Sequence, residues 1–284
     1  MYTDGMNEVM DSRLDDFNGD GNIDILVGLR SAVNSIGSFQ VLEGSGGSFS
    51  SGFYEEYAGP ADDFKLGAIW AVESADIDGD GDKDIIVGSH ITASVGFIDI
   101  YTNDGYATGQ FTWHSRYNSW GAVNDIIVAD MHEDDAGDPD IVAAMSMGTG
   151  FGFVMLWNNT GGKFGEPDTT GFAFGPHEVP NFPTDWVEAH GEALSLGILH
   201  VNNDVFPDIT FGTRTSSVYT GDLYILPAYG TLPENGVRIN STEIGEIISI
   251  AVADFNKDSR PDIVVGTRSS AAQGKLVAFF GREL

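Results

Sequence analysis

Acidic and amide side chains recur at fixed spacing in short segments of the chain. The first segment runs from Asp16 to Asp24 with the sequence DFNGDGNID, and the second runs from Asp76 to Asp84 with the sequence DIDGDGDKD. Both match the pattern D-x-[DN]-x-D-G-x-x-D, in which the glycine allows a sharp bend. Ca²⁺ takes about six to eight oxygen ligands, and closely spaced Asp and Asn supply such a set. The pattern therefore predicts one calcium ion in each of these loops.

The predicted ligands are the side chains at loop positions 1, 3, 5 and 9 and the backbone carbonyl at position 7. An EF-hand would need a Glu at position 12, where this chain has Val27 and Val87 within strand-like sequence, so a helix-loop-helix site is excluded. Without a cation, the second loop would hold five carboxylates within nine residues, which is electrostatically costly. The ligand residues are Asp16, Asn18, Asp20, Asn22 and Asp24 in the first loop, and Asp76, Asp78, Asp80, Asp82 and Asp84 in the second.

Three more divergent copies of the loop follow. The fifth copy has Ser259 in place of the glycine, the third has two extra residues, and the fourth begins with His200 in place of an acid. The fourth copy, with its reduced charge, is expected to be empty or weak, so the chain is predicted to bind three to four calcium ions. The candidate ligands are Asp130, His132, Asp134, Asp138 and Asp140 in the third loop, Asn202, Asp204 and Asp208 in the fourth, and Asp254, Asn256, Asp258 and Asp262 in the fifth.

The loops mark a repeat of about 60 residues, because they begin at positions 16, 76, 130, 200 and 254. In each repeat an apolar run precedes the loop, a β-branched run follows it, and one or two further strand-like runs come next. Four antiparallel strands per repeat are typical of propeller blades, whereas the coils of a β-solenoid are shorter and β-sandwich modules need more residues. We therefore expect an all-β fold, a single β-propeller domain over residues 1–284, with blades at approximately 1–60, 61–120, 121–185, 186–243 and 244–284.

The loops, together with the [IL]-x-V-G sequence that follows them at Ile25–Gly28, Ile85–Gly88 and Ile263–Gly266, resemble the FG-GAP or VCBS repeat family. Its best-known members form the N-terminal propeller of integrin α chains. The resemblance implies adhesion more than catalysis. Such families usually build seven blades, whereas five repeats are visible here. Either Tyr2 and Thr3 help to supply a missing outer strand and close a five-bladed ring, or the chain is part of a larger propeller.

The composition limits the classes of partner. Lys and Arg number 13 against 43 Asp and Glu, which gives a formal net charge of −30. Nucleic acids and anionic membranes are bound through basic side chains, so neither is an expected partner. Extracellular calcium modules typically have dissociation constants of about 10⁻⁴–10⁻³ M, and this predicts an extracellular or cell-surface location although no signal peptide is visible. The chain has no cysteine, which excludes disulfides and thiolate chemistry.

No arrangement of catalytic residues is recognisable in the sequence. The six histidines are scattered, and there is no nucleophile elbow of the G-x-S-x-G type. We therefore expect an interaction module for a protein, a glycan or copies of itself rather than an enzyme. The alternative is a carbohydrate-active enzyme, because some polysaccharide lyases resemble these repeats. The segment from Phe172 to Trp186, rich in aromatics and prolines, is either a candidate recognition loop or an insert packed on its own blade. Trp70 and Trp120 are expected either to pack in the core or to lie on the same face of the molecule as this segment.

Overall fold

The computed structural model describes residues 7–31, 37–55, 67–103, 105, 111–119, 121–131, 137–148, 150–157, 159, 164, 191–201, 206–215, 219–226, 237–240 and 244–281. These residues form strands and connecting turns. Tyr2, Thr3, Trp120 and the segment 172–186 lie outside the described residues.

The first two sheets each have four antiparallel strands in the order of the chain. Blade 1 consists of β1 (Asn7–Asp15), β2 (Asp24–Ser31), β3 (Gly37–Ser45) and β4 (Ser48–Glu55). Blade 2 consists of β5 (Ala68–Ala75), β6 (Asp84–His90), β7 (Gly96–Asn103) and β8 (Phe111–Ser119).

The remaining three sheets have three, four and three strands among the described residues. Blade 3 consists of β9 (Ala122–Ala129), β10 (Asp140–Ser146) and β11 (Gly152–Trp157). Blade 4 consists of β12 (Glu192–Leu199), β13 (Asp208–Arg214), β14 (Asp222–Leu226) and β15 (Val237–Asn240). Blade 5 consists of β16 (Glu246–Ala253), β17 (Asp262–Ser270) and β18 (Gln273–Phe279).

The five sheets are the blades of a five-bladed β-propeller, which confirms the predicted all-β fold. The first strand of each blade packs against the first strand of the next, from β1 through β5, β9 and β12 to β16. The second strands of blades 2, 3 and 4 are buried on both faces because neighbouring blades cover them. For this reason the sequence after the second loop is an uninterrupted β-branched run, Ile85, Ile86 and Val87. The hydrophobic core therefore lies in layers between blades.

The first strand of every blade carries a β-bulge at the same place. In blade 2 the register shifts between Ile69 and Ala71, opposite the end of β6. A bulge of this kind leaves one residue unpaired and increases the local twist of the strand. The unpaired residues of the five blades are Met10, Trp70, Asn124, Leu194 and Ile248.

A glycine in the second strand allows adjacent blades to approach closely. A Cβ placed on Gly28 would lie 2.8 Å from Ile69 Cγ2, and one on Gly88 would lie 2.4 Å from Val123 Cγ1. At separations this short, a Cβ on the glycine would require the neighbouring side chain to move. The glycine of the [IL]-x-V-G sequence is therefore a socket for a side chain of the next blade's first strand.

Among the described residues, no helix has the length and apolar character required to cross a bilayer.

Candidate metal centre

Each acidic loop connects the first and second strands of its blade, so the loops lie at equivalent positions in successive blades. The second loop follows β5 and ends in Asp84, the first residue of β6. This is the strand-loop-strand arrangement that the sequence predicts. The chain turns sharply within the loop, where Gly79 and Gly81 have φ values of 79° and 97°.

The aspartate at position 9 anchors the loop to the sheet. Asp84 is fully buried, its Oδ2 accepts the Ile77 amide at 2.7 Å, and its Oδ1 accepts the Asn103 amide at 2.9 Å. Since Ile77 lies in the loop and Asn103 ends β7, one carboxylate joins the loop to the third strand. The sequence predicts Asp84 as a ligand alone, and this second role is not visible in the spacing.

The same two-sided anchor recurs in blades 1, 3 and 5, and Asp208 of blade 4 makes its loop-side hydrogen bond. Each of the five aspartates is at most 1% exposed. Buried carboxylates that accept two backbone N–H groups form strong charge-assisted hydrogen bonds, so the anchor holds each loop against its blade. The amide donors are Phe17 and Gly44 for Asp24, Met131 and Asn159 for Asp140, Val201 for Asp208, and Phe255 and Gly281 for Asp262.

The aspartate at position 1 organises the bend itself. Asp76 accepts the Gly79 amide at 2.8 Å and the Gly81 amide at 3.0 Å. Further along the loop, Asp78 accepts the Asp80 amide at 3.2 Å. These hydrogen bonds fold the loop around its own carboxylates, and the carboxylate oxygens are thereby brought to the inside of the turn.

Three carboxylates converge in the second loop. Asp76, Asp78 and Asp84 each offer an oxygen, and these oxygens lie within 4.8 Å of one another. Ca²⁺–oxygen distances are about 2.3–2.6 Å, so oxygens on opposite sides of one ion are about 5 Å apart or less. The donor set consists of hard oxygens, which is the chemistry that Ca²⁺ prefers. The residues present therefore fit a calcium ion.

The electrostatics of the second loop also favour a cation. Burial raises the pKa of Asp84 to about 7, even though two backbone amides stabilise its charged form. The pKa of Asp78 is raised as well, first by burial and then by the neighbouring charge of Asp80. A divalent ion would relieve both effects, because it stabilises the ionised carboxylates.

The fifth loop has the same bend without glycine. Lys257 and Ser259 adopt left-handed φ values of 62° and 68°, and Asp254 accepts the amides of Asp258 at 3.0 Å and Ser259 at 2.8 Å. Because Ser259 replaces the glycine, the sequence alone does not establish this bend. The structure shows that the bend is formed.

The third and fourth loops are described in part. In the third, Asp140 is the anchor and Gly137 has a φ of 67°, while His132 and Asp134 lie outside the described residues. In the fourth, Asp208 is the anchor, and the described ring of His200 contacts the Phe206 carbonyl through Nδ1 at 2.9 Å. Asn202 and Asp204 lie outside the described residues.

Two family models match the chain by sequence. An FG-GAP-like repeat model matches residues 16–87, and an FG-GAP repeat model matches residues 248–279. These stretches contain the first, second and fifth acidic loops. The chain carries FG-GAP repeats in both of these stretches. The predicted family is thereby confirmed, and no curated protein matches the chain significantly by sequence.

Solved structures similar to this FG-GAP propeller share its fold at low sequence identity. They include the Dos1 propeller, with 11% identity and a TM-score of 0.51, and the exotype rhamnogalacturonan lyase YesX, with 12% identity and a TM-score of 0.53. The matches cover 97% and 98% of this chain but 55% and 48% of those chains, so the chain spans about half their length. BBS1N, in a complex with ARL6DN, matches at 12% identity and a TM-score of 0.51, over 97% of this chain and 71% of that chain. Likeness at this level of identity shows the fold alone.

The first strands of blades 1 to 3 carry an ion network next to the second loop. Arg13 Nε donates to Glu73 Oε2 at 3.0 Å, and Arg13 also reaches Asp125 of blade 3 at 3.8 Å. Burial raises the pKa of Asp125 to about 7, and the Arg13 charge opposes that rise. A cavity of about 630 Å³ adjoins this network, and its lining includes Glu73, Asp76, Lys83, Ile127 and Pro139.

Ion pairs join the first and second strands at the end away from the acidic loop, and they were not predicted from the sequence. In three blades a Glu in the first strand pairs across the sheet with an Arg 22 residues later. This constant separation is visible in the sequence and could have identified the pairs. They are Glu8 with Arg30, Glu192 with Arg214, and Glu246 with Arg268.

Blade 2 differs at this end. His90 takes the place of the arginine, and its ring stacks on the Trp70 indole with centroids 4.5 Å apart. The Arg30 guanidinium lies over the same indole at 5.2 Å. Trp70 is therefore half-buried in a stack and does not lie in the core. Burial lowers the pKa of His90 to about 4.

Proposed function

We propose that this FG-GAP propeller is a calcium-stabilised interaction module of the cell exterior that binds a protein or a glycan. The observation that carries the proposal is the convergence of Asp76, Asp78 and Asp84 within 4.8 Å on a loop whose path is set by its own carboxylates. By analogy of sequence and hydrogen bonding, the first and fifth loops bind calcium as well, and the third supplies a further site through Asp130, Asp138 and Asp140.

Calcium has a structural role in this proposal. An ion that binds the folded loop and not the unfolded chain stabilises the fold by about 2.7 kcal/mol per site when its concentration is a hundred times the dissociation constant. The affinity expected for such modules, about 10⁻⁴–10⁻³ M, suits a calcium-rich exterior. The net charge of −30 adds a reason for counter-ions, because like charges destabilise a compact state.

The partner is proposed to be a macromolecule because propellers present a rigid surface of loops. BBS1N, which has this fold, is found in a complex with ARL6DN. An interaction role is therefore compatible with the architecture. The alternative of a carbohydrate-active enzyme is tested by incubating the protein with acidic polysaccharides and measuring release of unsaturated or reducing ends. Turnover that is lost when His90 is substituted would overturn the proposal of a non-catalytic module.

The calcium proposal is tested by thermal unfolding in excess chelator and in millimolar calcium, with magnesium as the ionic control. We expect calcium to raise the melting temperature and magnesium to raise it far less, because Mg²⁺ requires a smaller octahedral site. Asp78→Asn should reduce the calcium-dependent increase. Glu43→Gln is the matched control, since it removes one carboxylate of blade 1 outside the loops and should leave the increase unchanged. Equal melting temperatures in chelator and calcium would refute the proposal.

A further inference from the structure

The residue at position 2 of an acidic loop belongs to one blade but packs into the next. Phe17, in the first loop, is 1% exposed and lies edge-on to the Phe111 ring of blade 2, with 6.0 Å between the ring centroids. Ile77, in the second loop, is 3% exposed and belongs to the same core cluster as Trp157 of blade 3. The apolar side chain at this position therefore attaches each of these loops to the blade that follows.

The carbonyl group at position 2 is held by an asparagine of that following blade. Asn103 Nδ2 donates to the Phe17 carbonyl at 2.9 Å. Asn159 Nδ2 donates to the Ile77 carbonyl at the same distance, 2.9 Å. Both asparagines are at most 1% exposed. Because a hydrogen bond is electrostatically stronger where water is excluded, these amides are effective links between blades.

The two asparagines serve as donors. Asn103 Nδ2 also donates to the Lys83 carbonyl of its own blade's loop at 3.3 Å, and Asn159 Nδ2 donates to the Pro139 carbonyl at 3.2 Å. Their Oδ1 atoms are buried and accept no hydrogen bond from the part of the chain that the structure describes. Aspartate has no such donor when ionised, and an apolar residue of similar size has none at all. The amide NH₂ is thus the group that joins two adjacent loops.

The same asparagines are bound to the anchors through their backbone N–H groups. Asn103 donates to Asp84 Oδ1, and Asp84 Oδ2 accepts the Ile77 amide. The result is an unbroken series of buried hydrogen bonds that joins the position-9 carboxylates of the first three loops. The series runs from Asp24 through Phe17, Asn103, Asp84, Ile77 and Asn159 to Asp140.

We propose that this hydrogen-bond series couples the calcium sites of the first three loops, with Asn103 and Asn159 as the positioning residues. The inference rests on the proposed function, because it concerns the calcium that these loops are proposed to bind. When Asp84 is fixed as a ligand, it holds Asn103 in place, and Asn103 holds position 2 of the first loop. Order that one site has imposed lowers the entropic cost of binding at the next site, which is positive cooperativity.

The fifth loop is not joined to the series. Gly281 occupies in blade 5 the place that Asn103 occupies in blade 2, with its amide 2.8 Å from Asp262 Oδ1, but it has no side chain that could donate to the fourth loop. Phe255, at position 2 of the fifth loop, is 49% exposed. The fifth loop is therefore the uncoupled reference within the same chain.

Calcium binding to the individual loops can be followed by NMR. In the first, second and fifth loops, one equivalent backbone amide donates to the carboxylate at position 1; these amides belong to Gly21, Gly81 and Ser259. Their chemical shifts respond to any change at that carboxylate. Titration of the ¹⁵N-labelled protein with calcium therefore gives a separate affinity for each loop.

Removal of a ligand from the second loop tests the coupling. Asp78→Asn should weaken calcium binding in the first loop, measured at Gly21, by about fivefold or more, the lower end of typical couplings between sites. Binding in the fifth loop, measured at Ser259, should not change. Linkage requires that Asp20→Asn weaken the second loop by the same factor. Asp258→Asn is the matched control, and it should leave the first and second loops unchanged.

Asn103→Leu separates this series from the electrostatic field of the neighbouring loop. It removes the side-chain donor and keeps the backbone N–H that binds Asp84. In this background Asp78→Asn should no longer alter the affinity at Gly21, whereas a purely electrostatic coupling would persist and would overturn the proposal. Asn118→Leu, the same substitution at an exposed position of β8, should leave the coupling intact. Asn103→Ala, which also lacks the donor, is used if the leucine variant does not fold.

The possible outcomes separate this inference from the calcium proposal on which it rests. If calcium shifts none of the three amides, both are overturned. If all three amides respond but Asp78→Asn leaves the affinity at Gly21 unchanged, the loops bind calcium independently and only the coupling is overturned. A loss of affinity at Gly21 that requires Asn103 and spares Ser259 would support it.

Discussion

The second and fifth acidic loops follow the same path with different residues at the bend. Asp76 and Asp254 each accept two amides further along their loops, and Asp84 and Asp262 each anchor a loop to a third strand. Yet the second loop has glycine at both left-handed positions, whereas the fifth has lysine and serine. The carboxylates therefore determine the path, and glycine lowers its conformational cost.

Blades 2 and 5, which carry these loops, differ more in their burial by neighbouring blades than in their own fold. Strand β6 is buried almost throughout, while its counterpart β17 alternates between buried and partly exposed residues, and β18 is largely exposed. The strand pairing and the bulge are the same in both blades. Local sequence thus sets the hairpin and its loop, and burial depends on whether a neighbouring blade is present.

The largest loss of stability is expected when the anchoring aspartates, Asp84 and Asp262, are substituted, because the anchor is the feature that the two loops share most closely. Asp84→Asn and Asp262→Asn each place an amide NH₂ against a backbone N–H, which loses one charge-assisted hydrogen bond and leaves a buried donor unpaired. We expect each change to lower the free energy of unfolding by about 2–3 kcal/mol. Urea unfolding in chelator measures this without a contribution from bound metal.

The control for the anchors is Asp80→Asn, which changes an exposed residue of the second loop. It should cost well under 1 kcal/mol in chelator, since exposed substitutions away from buried networks are usually small. A large loss for Asp84→Asn together with a negligible one for Asp262→Asn would show that the shared hydrogen bonds are not equally important in the two blades.

A smaller effect on stability is expected where blades 2 and 5 also differ, at the strand ends away from the acidic loops. His90 in blade 2 has its pKa lowered to about 4 by burial, and the charges of Arg30 and Arg214 lower it further. Its counterpart in blade 5 is Arg268, which pairs with Glu246. Because the unfolded chain takes up a proton below its ordinary pKa of about 6.5 and the folded chain does not, stability is full above that pH and is lost as the pH falls toward 4.

At pH 5 this linkage amounts to about 2 kcal/mol. His90→Phe retains a ring against Trp70 but cannot take up a proton, so its loss of stability between pH 7.5 and pH 5 should be smaller than that of the unmodified chain by about that amount. Urea unfolding of both proteins at the two pH values gives the comparison. Parallel losses would mean that His90 is protonated in the folded protein.

Particular residues show how far the sequence determines this molecule. The alternation from Asp76 to Asp84 predicts a loop between two strands, and both strands are found there. The anchoring role of Asp84 requires its approach to Asn103, 19 residues away at the end of another strand, which depends on sheet register. Leu276 lies in strand β18, and its exposure of 81% depends on whether a neighbouring blade covers it, which spacing within one repeat does not report. Spacing thus reports what lies within one blade, and contacts between strands and blades require the structure.

The smallest effect on stability is expected at the left-handed position of the bend. It tests whether glycine there only lowers the conformational free energy of the loop. Ser259 has a φ of 68°, a conformation that costs a residue with a Cβ about 1–2 kcal/mol and that glycine adopts freely. Ser259→Gly should therefore stabilise the fifth loop by about 0.5–1 kcal/mol after the greater entropy of glycine in the unfolded chain is subtracted. Gly81→Ser should destabilise the second loop by a similar amount, because a Cβ there meets no other atom and the cost is conformational. Ser259→Ala keeps the Cβ and serves as the control in urea unfolding. If alanine and glycine at position 259 gave the same stability, the backbone conformation would not be the source of the difference between the loops.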